Sequence, residues 1–354
     1  MSKKRNISVV KAINEAIDLS MNKDKSLICY GLGTTDPKGV FGTTLSLEKK
    51  YGKRRVFDTP ASENALTGIG IGAALDGTRV LLSSQRADFF LLAIDQLVNG
   101  AAKWRYMFGG NHKVPITIRL IVGRGWGQGP THSQNFHSWF SNVPGLKVVM
   151  PTSPHDHKGL LISSIFDDNP VIFIEQRWIH NTIGPVKKNF FKVPIGKAKL
   201  VKKGNDITIV SLSNLTNEAI KASQYLEKTG INSEIIDLRS LSPIDYTTIE
   251  KSVNKTKRII VLDPSHRTCS YGSEIISTIS QNIYLKLKSN PVLMAYPDVP
   301  MPTSRIFNKL YYFGYKEIYE NIVKNIFGKK LKINLQKKIN SYDDVPDKNF
   351  NGPF

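Results

Sequence analysis

A carboxylate and a histidine occupy the two positions of this chain that are best suited to chemistry. Glu63 ends the string that runs from Asp58 and begins a helix predicted at 62–75. His132 closes a glycine-rich loop that follows a predicted strand. A carboxyl group that is shielded from water can share a proton near neutral pH, and a histidine can transfer one. These residue types favour a site for proton chemistry.

Each of the two residues also has a purely structural explanation. An anionic side chain in the first turn of a helix gains about 0.3–1 kcal/mol, which could account for Glu63 alone. A lone histidine is more often a structural residue than a catalytic one. The position of His132 argues for a function, because ligands of open α/β sheets bind beyond the carboxyl ends of parallel strands.

The elements that must position these residues alternate between strands and helices. Short apolar runs, typical of buried parallel strands, are predicted at 27–30, 78–84, 115–122, 146–150 and 170–175. Helices are predicted between them at 8–20, 44–50, 62–75, 88–103, 133–141 and 154–166. Three glycines in the helix at 62–75 predict close packing against a neighbour.

A second alternating set follows a lysine-rich, proline-containing stretch. Its strands are predicted at 207–212, 233–238, 258–263 and 292–295, and its helices at 215–229, 246–254, 271–287 and 315–327. The pattern predicts an α/β protein with two doubly wound domains and mainly parallel sheets. We divide the chain into a first domain at 5–180, a linker at 181–194, a second domain at 195–327 and a polar, basic tail at 328–354 that is disordered or lies on a neighbouring subunit.

Composition narrows the class of protein. The net charge of +20 comes from dispersed lysines rather than from a basic stripe with aromatic residues, so an acidic partner or an anionic substrate is favoured over nucleic acid. No apolar run reaches the length of a membrane span. Cys29 and Cys269 lie far apart and are expected to be buried free thiols. A cytoplasmic protein is predicted.

Several separated motifs resemble one known family. They are the string from Arg55 to Glu63 with the glycines that follow it, the His132-Ser133-Gln134 triplet, the helix from Asp95 to Lys103, and the strings 237–245 and 298–302. Together they resemble the β subunit of thiamine-diphosphate-dependent 2-oxoacid dehydrogenases, the pyruvate and branched-chain enzymes of the transketolase-like superfamily. The resemblance covers residues 5–327.

The resemblance implies a pyrimidine-binding domain followed by a transketolase C-terminal domain, which usually serves assembly. It implies that Glu63 hydrogen-bonds the N1′ nitrogen of the cofactor's aminopyrimidine and favours its imino tautomer. It implies that His132 faces the substrate, as a proton donor or as a ligand of the 2-oxo acid carboxylate. Phe89 matches an aromatic residue that packs on the pyrimidine ring. The helix at Asp95 to Lys103 matches a subunit contact.

The turn before the strand at 170–175 resembles a turn that holds a structural potassium ion in some relatives, so the resemblance also implies a potassium site. Backbone carbonyls suit such a hard cation. By resemblance, they would come from Ile116, Ser164, Ile165, Asp167 and Asn169. An ordinary helix-to-strand turn explains the same residues.

The chain carries only half of the cofactor machinery. Diphosphate and Mg²⁺ binding in this family needs a Gly-Asp-Gly motif with a later asparagine, because hard Mg²⁺ prefers oxygen ligands, and no Gly-Asp-Gly occurs here. The resemblance therefore implies an α subunit that holds Mg²⁺ and the diphosphate, an α₂β₂ heterotetramer, and activity only in that complex. The implied reaction is oxidative decarboxylation of a 2-oxo acid with acyl transfer to the lipoyl group of a separate acyltransferase.

One position departs from the family. Its members usually have an acidic pair after the first strand, whereas this chain has Gly31-Leu32-Gly33. Arg124 and Trp126 in the histidine loop are also atypical, which suggests a divergent branch. Leu32 keeps open an alternative: a thiamine-dependent ketol or acyl transferase that uses an aldehyde or sugar acceptor. A non-catalytic assembly subunit is a second alternative, and the presence of Glu63 and His132 argues against it.

Overall fold

A computed structural model describes residues 4–125, 127–331, 333, 335 and 345–346 of the chain. Its strands form a seven-stranded sheet, a five-stranded sheet and a two-stranded sheet, and helices cover the two larger sheets. The predicted α/β class with mainly parallel sheets is confirmed. Within the described ranges, no helix has both the length and the apolarity needed to cross a bilayer.

Where the structure describes it, the first half of the chain contains eight strands and six α-helices. The strands are β1 (Lys4–Ser8), β2 (Ile28–Tyr30), β3 (Val56–Phe57), β4 (Val80–Ser84), β5 (Ile116–Val122), β6 (Lys147–Val149), β7 (Val171–Gln176) and β8 (Ile183–Lys187). The helices are α1 (Val9–Lys23), α2 (Leu47–Tyr51), α3 (Glu63–Leu75), α4 (Ala102–Met107), α5 (His137–Ser141) and α6 (Pro154–Ile165).

The described residues of the second half form six strands and five α-helices. The strands are β9 (Lys199–Lys202), β10 (Ile207–Ser211), β11 (Ser233–Asp237), β12 (Ser240–Ser242), β13 (Ile259–His266) and β14 (Val292–Tyr296). The helices are α7 (Asn214–Lys228), α8 (Tyr246–Thr256), α9 (Tyr271–Ile283), α10 (Arg305–Tyr311) and α11 (Tyr315–Asn321), which continues as a π-helical turn over Ile322–Ile326.

The seven-stranded sheet has the order β12-β6-β7-β5-β4-β2-β3. All neighbours are parallel except β12, which pairs antiparallel with β6. The carboxyl ends of β3, β4 and β5 therefore lie at one edge of the sheet. The five-stranded sheet has the order β14-β13-β10-β11-β9, with only β9 antiparallel.

A buried ion pair ties the centre of the first sheet together. Arg119 on β5 and Glu175 on β7 are both 0% exposed, and Arg119 Nε lies 2.5 Å from Glu175 Oε1. The remaining guanidinium nitrogens donate to Ser83 Oγ at 3.2 Å and to Thr43 Oγ1 at 2.9 Å. Burial acts to raise the pKa of Glu175, but the charge of Arg119 and hydrogen bonds hold it at about 2.

Several features differ from the sequence predictions. The predicted helix at 88–103 is a 3₁₀ turn over Phe89–Ala93, a π-helical segment over Gln96–Ala101, and α4. The predicted linker contains β8, which pairs antiparallel with β1. Breaker residues such as Gly184 and Pro185 hid this strand, and its partner lies at the other end of the domain.

The cysteines and the tail need smaller corrections. Cys29 and Cys269 are both free thiols, as predicted, but Cys269 is exposed. The described tail residues Leu331, Ile333 and Leu335 pack against the apolar core formed by α7, α11 and the strands of the second sheet. These three residues therefore lie on their own chain rather than on a neighbour, and most of the tail lies outside the described residues.

Helix α3 packs closely at one of its three glycines. A Cβ atom on Gly70 would lie 2.3 Å from Tyr30 Oη, and that hydroxyl donates a hydrogen bond to Leu66 O at 2.7 Å. A Cβ on Gly68 would meet Gln96 at 3.2 Å, whereas nothing lies within 4 Å of a Cβ on Gly72. The predicted close packing is confirmed at Gly70 and is wrong at Gly72.

This contrast predicts opposite effects from the same substitution in one helix. Gly70→Ala should lower stability by about 1–3 kcal/mol, because the methyl group displaces the buried Tyr30 hydroxyl. Gly72→Ala should raise stability by about 0.5–1 kcal/mol, because it only removes backbone freedom from the unfolded chain. Urea unfolding midpoints in dilute solution measure both effects. Equal midpoints would show that the Tyr30 contact imposes no constraint.

Candidate active site

Three connections after parallel strands bring the predicted site residues to the same edge of the first sheet. Glu63 begins α3 after β3, Phe89 begins the turn after β4, and His132 lies in the loop after β5. These strands belong to one parallel array. The structure thus brings together three residues that are far apart in the sequence.

Glu63 and Phe89 line one narrow pocket. Its other walls are mostly apolar or small, and they include Leu32, Leu66, Leu82 and Phe90. Leu32 is 39% exposed and Phe89 is 36% exposed, so the pocket opens to the surface. A mostly apolar pocket whose lining includes a partly exposed carboxyl group suits an apolar ring that carries a basic nitrogen.

The surroundings of Glu63 differ in detail from those predicted. Ser62 occupies the residue before α3, but its side chain makes no capping hydrogen bond. Glu63 is only partly buried in this chain, whereas the predicted proton chemistry needs a carboxyl group shielded from water. Asp58 orders the segment instead, because its Oδ1 accepts hydrogen bonds from Gly33 N at 2.9 Å and Thr59 N at 2.7 Å.

His132 lies beside the pocket, against Phe89. The two rings meet edge-on with centroids 5.3 Å apart, and His132 Nδ1 lies 3.0 Å from Thr131 Oγ1. The start of the loop passes close to its end, since a Cβ on Gly123 would lie 2.1 Å from His132 O. Only glycine permits this approach of two backbone segments.

Residues of the second half of the chain also contact the segment that follows His132. His137 Nε2 lies 2.9 Å from Asp263 Oδ1, and both side chains are buried. Asn135 Nδ2 donates to Pro264 O at 2.9 Å. The family resemblance implied a role in assembly for this half, and no motif in the sequence pairs these residues.

Arg124 is held at the start of the same loop. Its guanidinium lies 4.1 Å from the ring centroid of Trp178 and 4.0 Å from that of Tyr312. Cation–π contacts with two rings fix this side chain between the two halves of the chain. Trp126, the other atypical loop residue, lies outside the described residues.

Family models match nearly the whole folded part of the chain. Residues 5–180 match the transketolase pyrimidine-binding domain, and residues 196–318 match the transketolase C-terminal domain. The chain is 39% identical to the β subunit of acetoin:2,6-dichlorophenolindophenol oxidoreductase of Cupriavidus necator, over 87% of this chain and 94% of the relative. It is 38% identical to the pyruvate dehydrogenase E1 β subunit of Acholeplasma laidlawii, over 84% of this chain and 92% of the relative.

The chain belongs to the β-subunit family of thiamine-diphosphate-dependent 2-oxoacid dehydrogenases. The solved structure of a split-gene transketolase, as an inactive β4 tetramer, has the same fold. Its TM-score is 0.74 at 19% identity, and the match covers 92% of this chain and 99% of that one. The resemblance stated from the motifs is confirmed.

The turn that is predicted to hold potassium contacts the positively charged side chain of Arg79. Arg79 Nη1 donates to Ile165 O and to Asp167 O, each at 3.1 Å. Its guanidinium also lies 3.1 Å from Asp24 and 3.3 Å from Asp168. Two of the five predicted carbonyl ligands therefore already accept hydrogen bonds from Arg79, while each carbonyl oxygen keeps a second lone pair.

Gly123 generates a prediction about the placement of His132. Gly123→Ala should displace the loop, because neither backbone segment can move as a side-chain tip would. The imidazole of His132 should then react faster with diethyl pyrocarbonate, as read by peptide mass spectrometry. Gly72→Ala, which adds the same methyl group into open space, is the matched control. An unchanged rate in the Gly123→Ala variant would contradict the close approach.

Proposed function

We propose that this chain is the β half of an enzyme that oxidatively decarboxylates a 2-oxo acid and transfers the acyl group to a lipoyl acceptor. It works only together with an α subunit. The observation that carries the proposal is one pocket, lined by Glu63 and Phe89 and flanked by His132, in a chain without Gly-Asp-Gly. A cytoplasmic location is part of the proposal.

The residues that line the pocket suit the pyrimidine half of thiamine diphosphate. When bound, this cofactor supplies a nucleophilic carbon and an electron sink that allow a 2-oxo acid to lose carbon dioxide. The apolar walls suit the faces of its ring. Thr67 lines the same pocket, and its buried Oγ1 has no hydrogen-bond partner among the described residues. A buried hydroxyl of this kind suits a polar ligand atom.

Each site residue then has a defined task. Glu63 holds a proton at the ring nitrogen that its carboxyl group meets, and Phe89 packs on the ring. His132 binds the carboxylate of the 2-oxo acid or moves a proton at the reacting carbon. Glu63 remains partly exposed in this chain, and in the proposed complex the α subunit covers the mouth of the pocket and excludes water from the carboxyl group.

An apolar surface next to the pocket is the proposed contact with the α subunit. Ile69 on α3 and Leu92 in the following turn are 65% and 68% exposed, and Tyr106 and Met107 on α4 are 89% and 56% exposed. Exposed apolar patches of this kind mark protein interfaces. Ile69 lies on the helix that Glu63 begins, and Leu92 lies in the turn that Phe89 begins, so a partner seated on these two side chains would lie beside the site.

The metals belong to the same proposal. Mg²⁺ is held with the diphosphate by the α subunit, because its oxygen ligands are missing from this chain's motifs. Potassium would bind the carbonyls of Ile116, Ser164 and Asn169 together with those that contact Arg79. Melting temperatures in KCl and NaCl at equal ionic strength test the potassium site.

A second function is favoured by Leu32. This apolar side chain lines the same pocket as Glu63, at a position where the family usually has a carboxylate. The alternative is a ketol or acyl transferase with an aldehyde or sugar acceptor. Because relatives are named for acetoin, a hydroxyketone, the assay of the assembled enzyme should include a ketol as donor. Assays of the assembled enzyme with 2-oxo acids and acetoin, each with a lipoyl domain or an aldehyde, separate the two functions.

Glu63→Gln tests the role of the carboxyl group. The amide retains size and polarity, so folding and cofactor content should change little. Turnover should fall at least about 100-fold, because proton transfer by a positioned group contributes about 10²–10⁴-fold. Steady-state kinetics of the αβ complex, with its thiamine diphosphate content measured, test whether the carboxyl group is needed for turnover. Wild-type turnover in a cofactor-loaded variant would leave Glu63 as a helix-end residue only.

Assembly provides a separate test. The isolated chain should aggregate or self-associate despite its +20 charge, because its apolar patch remains bare. Co-expression with the α subunit should yield an α₂β₂ particle with a contact of about 2,000 Å² or more. Light scattering with and without the partner measures both. A well-behaved monomer that ignores the α subunit would refute the shared site.

A further inference from the structure

A buried carboxylate outside the predicted site residues contacts the segment that carries His132. Gln134 lies two residues after His132, and it donates two hydrogen bonds to Asp88 Oδ1. Its backbone N lies 3.3 Å away and its side-chain Nε2 2.8 Å away. Asp88 is only 9% exposed. It directly precedes Phe89, the residue that lines the pocket and packs against His132.

The buried position of Asp88 is not explained by a gain in folding stability. Burial, the largest influence, raises its pKa, and the hydrogen bonds from Gln134 and the charge of His132 counteract it. Its second oxygen, Oδ2, is buried without a hydrogen-bond partner among the residues that the structure describes. Such an atom is costly to leave unpaired. Buried polar groups of this kind in native proteins call for a reason beyond packing.

Arg86 offers a simpler role for Asp88, as a counterion. Arg86 is 1% exposed, and burial lowers its pKa to about 10 although the charge of Asp88 acts to raise it. A counterion would need to be near Arg86 only. It would not need two hydrogen bonds to the loop on the other side, and removing Gln134 would not disturb it.

We propose that Asp88 is a positioning residue for His132. Through Gln134 it joins the histidine segment to the residue before Phe89, so that the pocket wall and the histidine hold one fixed geometry. Asp88 itself touches neither substrate nor cofactor in this role. The effect on turnover rests on the proposed function, whereas the effect on the placement of His132 does not.

The first experiment measures the placement of His132 without using activity. Diethyl pyrocarbonate modification of His132 is followed by peptide mass spectrometry in the cofactor-free αβ complex. His155 on α6, also partly exposed, is the internal reference. Rates taken across pH separate a change in exposure from a change in protonation. Asp88→Ala should raise the pH-independent rate about 3- to 10-fold, as expected for a segment that opens locally.

The second experiment measures the reaction. Asp88→Ala should lower kcat/KM about 10- to 100-fold, because small displacements of a reacting group cost rates of this order. Asp88→Asn should recover most of the rate, because its amide oxygen still accepts from Gln134. Gln134→Ala should match Asp88→Ala, and the double variant should be no worse than either single variant, as for two partners in one contact.

The control is Asp206→Ala. Asp206 accepts a backbone hydrogen bond from Asn232 at 2.6 Å in the second half of the chain, and its loss should leave both measurements unchanged. If Asp88→Ala does not fold, Gln134→Ala and Asp88→Asn carry the test.

The proposal is overturned if Gln134→Ala leaves the His132 rate within about twofold of wild type, a change too small to reflect local opening. It is also overturned if the losses in kcat/KM multiply in the double variant. An Asp88→Ala variant that loses only stability would overturn it as well, and would identify the counterion of Arg86. A wild-type complex that decarboxylates no 2-oxo acid would refute the proposed function, and the modification rates would still decide the role of Asp88.

Discussion

Parallel alignment of β3, β4 and β5 is the constraint on which the site depends. Parallel strands end at one edge of a sheet, so each following connection can contribute a side chain to the same place. Glu63, Phe89 and His132 use three such connections. The bidentate contact between Arg119 and Glu175 joins the neighbouring strands β5 and β7 of the same sheet. Losing one partner of a buried pair typically costs about 3–5 kcal/mol, so this pairing is strongly specified.

The histidine segment depends on more than its own domain. It packs on the start of its loop at Gly123, on Asp88 through Gln134, and on the second half of the chain through the contact of His137 with Asp263. A side chain on a loop becomes precise only when several rigid elements hold that loop. The second domain therefore does more than support assembly, because it forms part of the frame around His132.

The proposed division of the cofactor between two chains would explain other features of the surface. Glu63 is partly exposed, and large apolar side chains remain bare on α3, the turn after β4 and α4. Bare apolar side chains are unfavourable in a chain that acts alone, and a carboxyl group open to water is poorly suited to sharing a proton near neutral pH. Both features suit a site that a partner closes. The proposed α subunit would remove water from the carboxyl group and cover the apolar patch in a single contact.

The sequence by itself determined the α/β class and most strands and helices, because these depend on local apolar patterns. It also determined the family, because the family depends on short strings such as those around Glu63 and His132. It could not show that Leu32 faces the same pocket as Glu63, that Asp88 accepts from Gln134, or that β8 pairs with β1. It predicted close packing for all three glycines of α3, and it could not show that Gly70 meets the Tyr30 hydroxyl while Gly72 faces open space. These features join residues that are distant along the chain, and each local pattern allows many partners. Only the tertiary structure decided them, because burial and backbone approach act between elements that no local string connects.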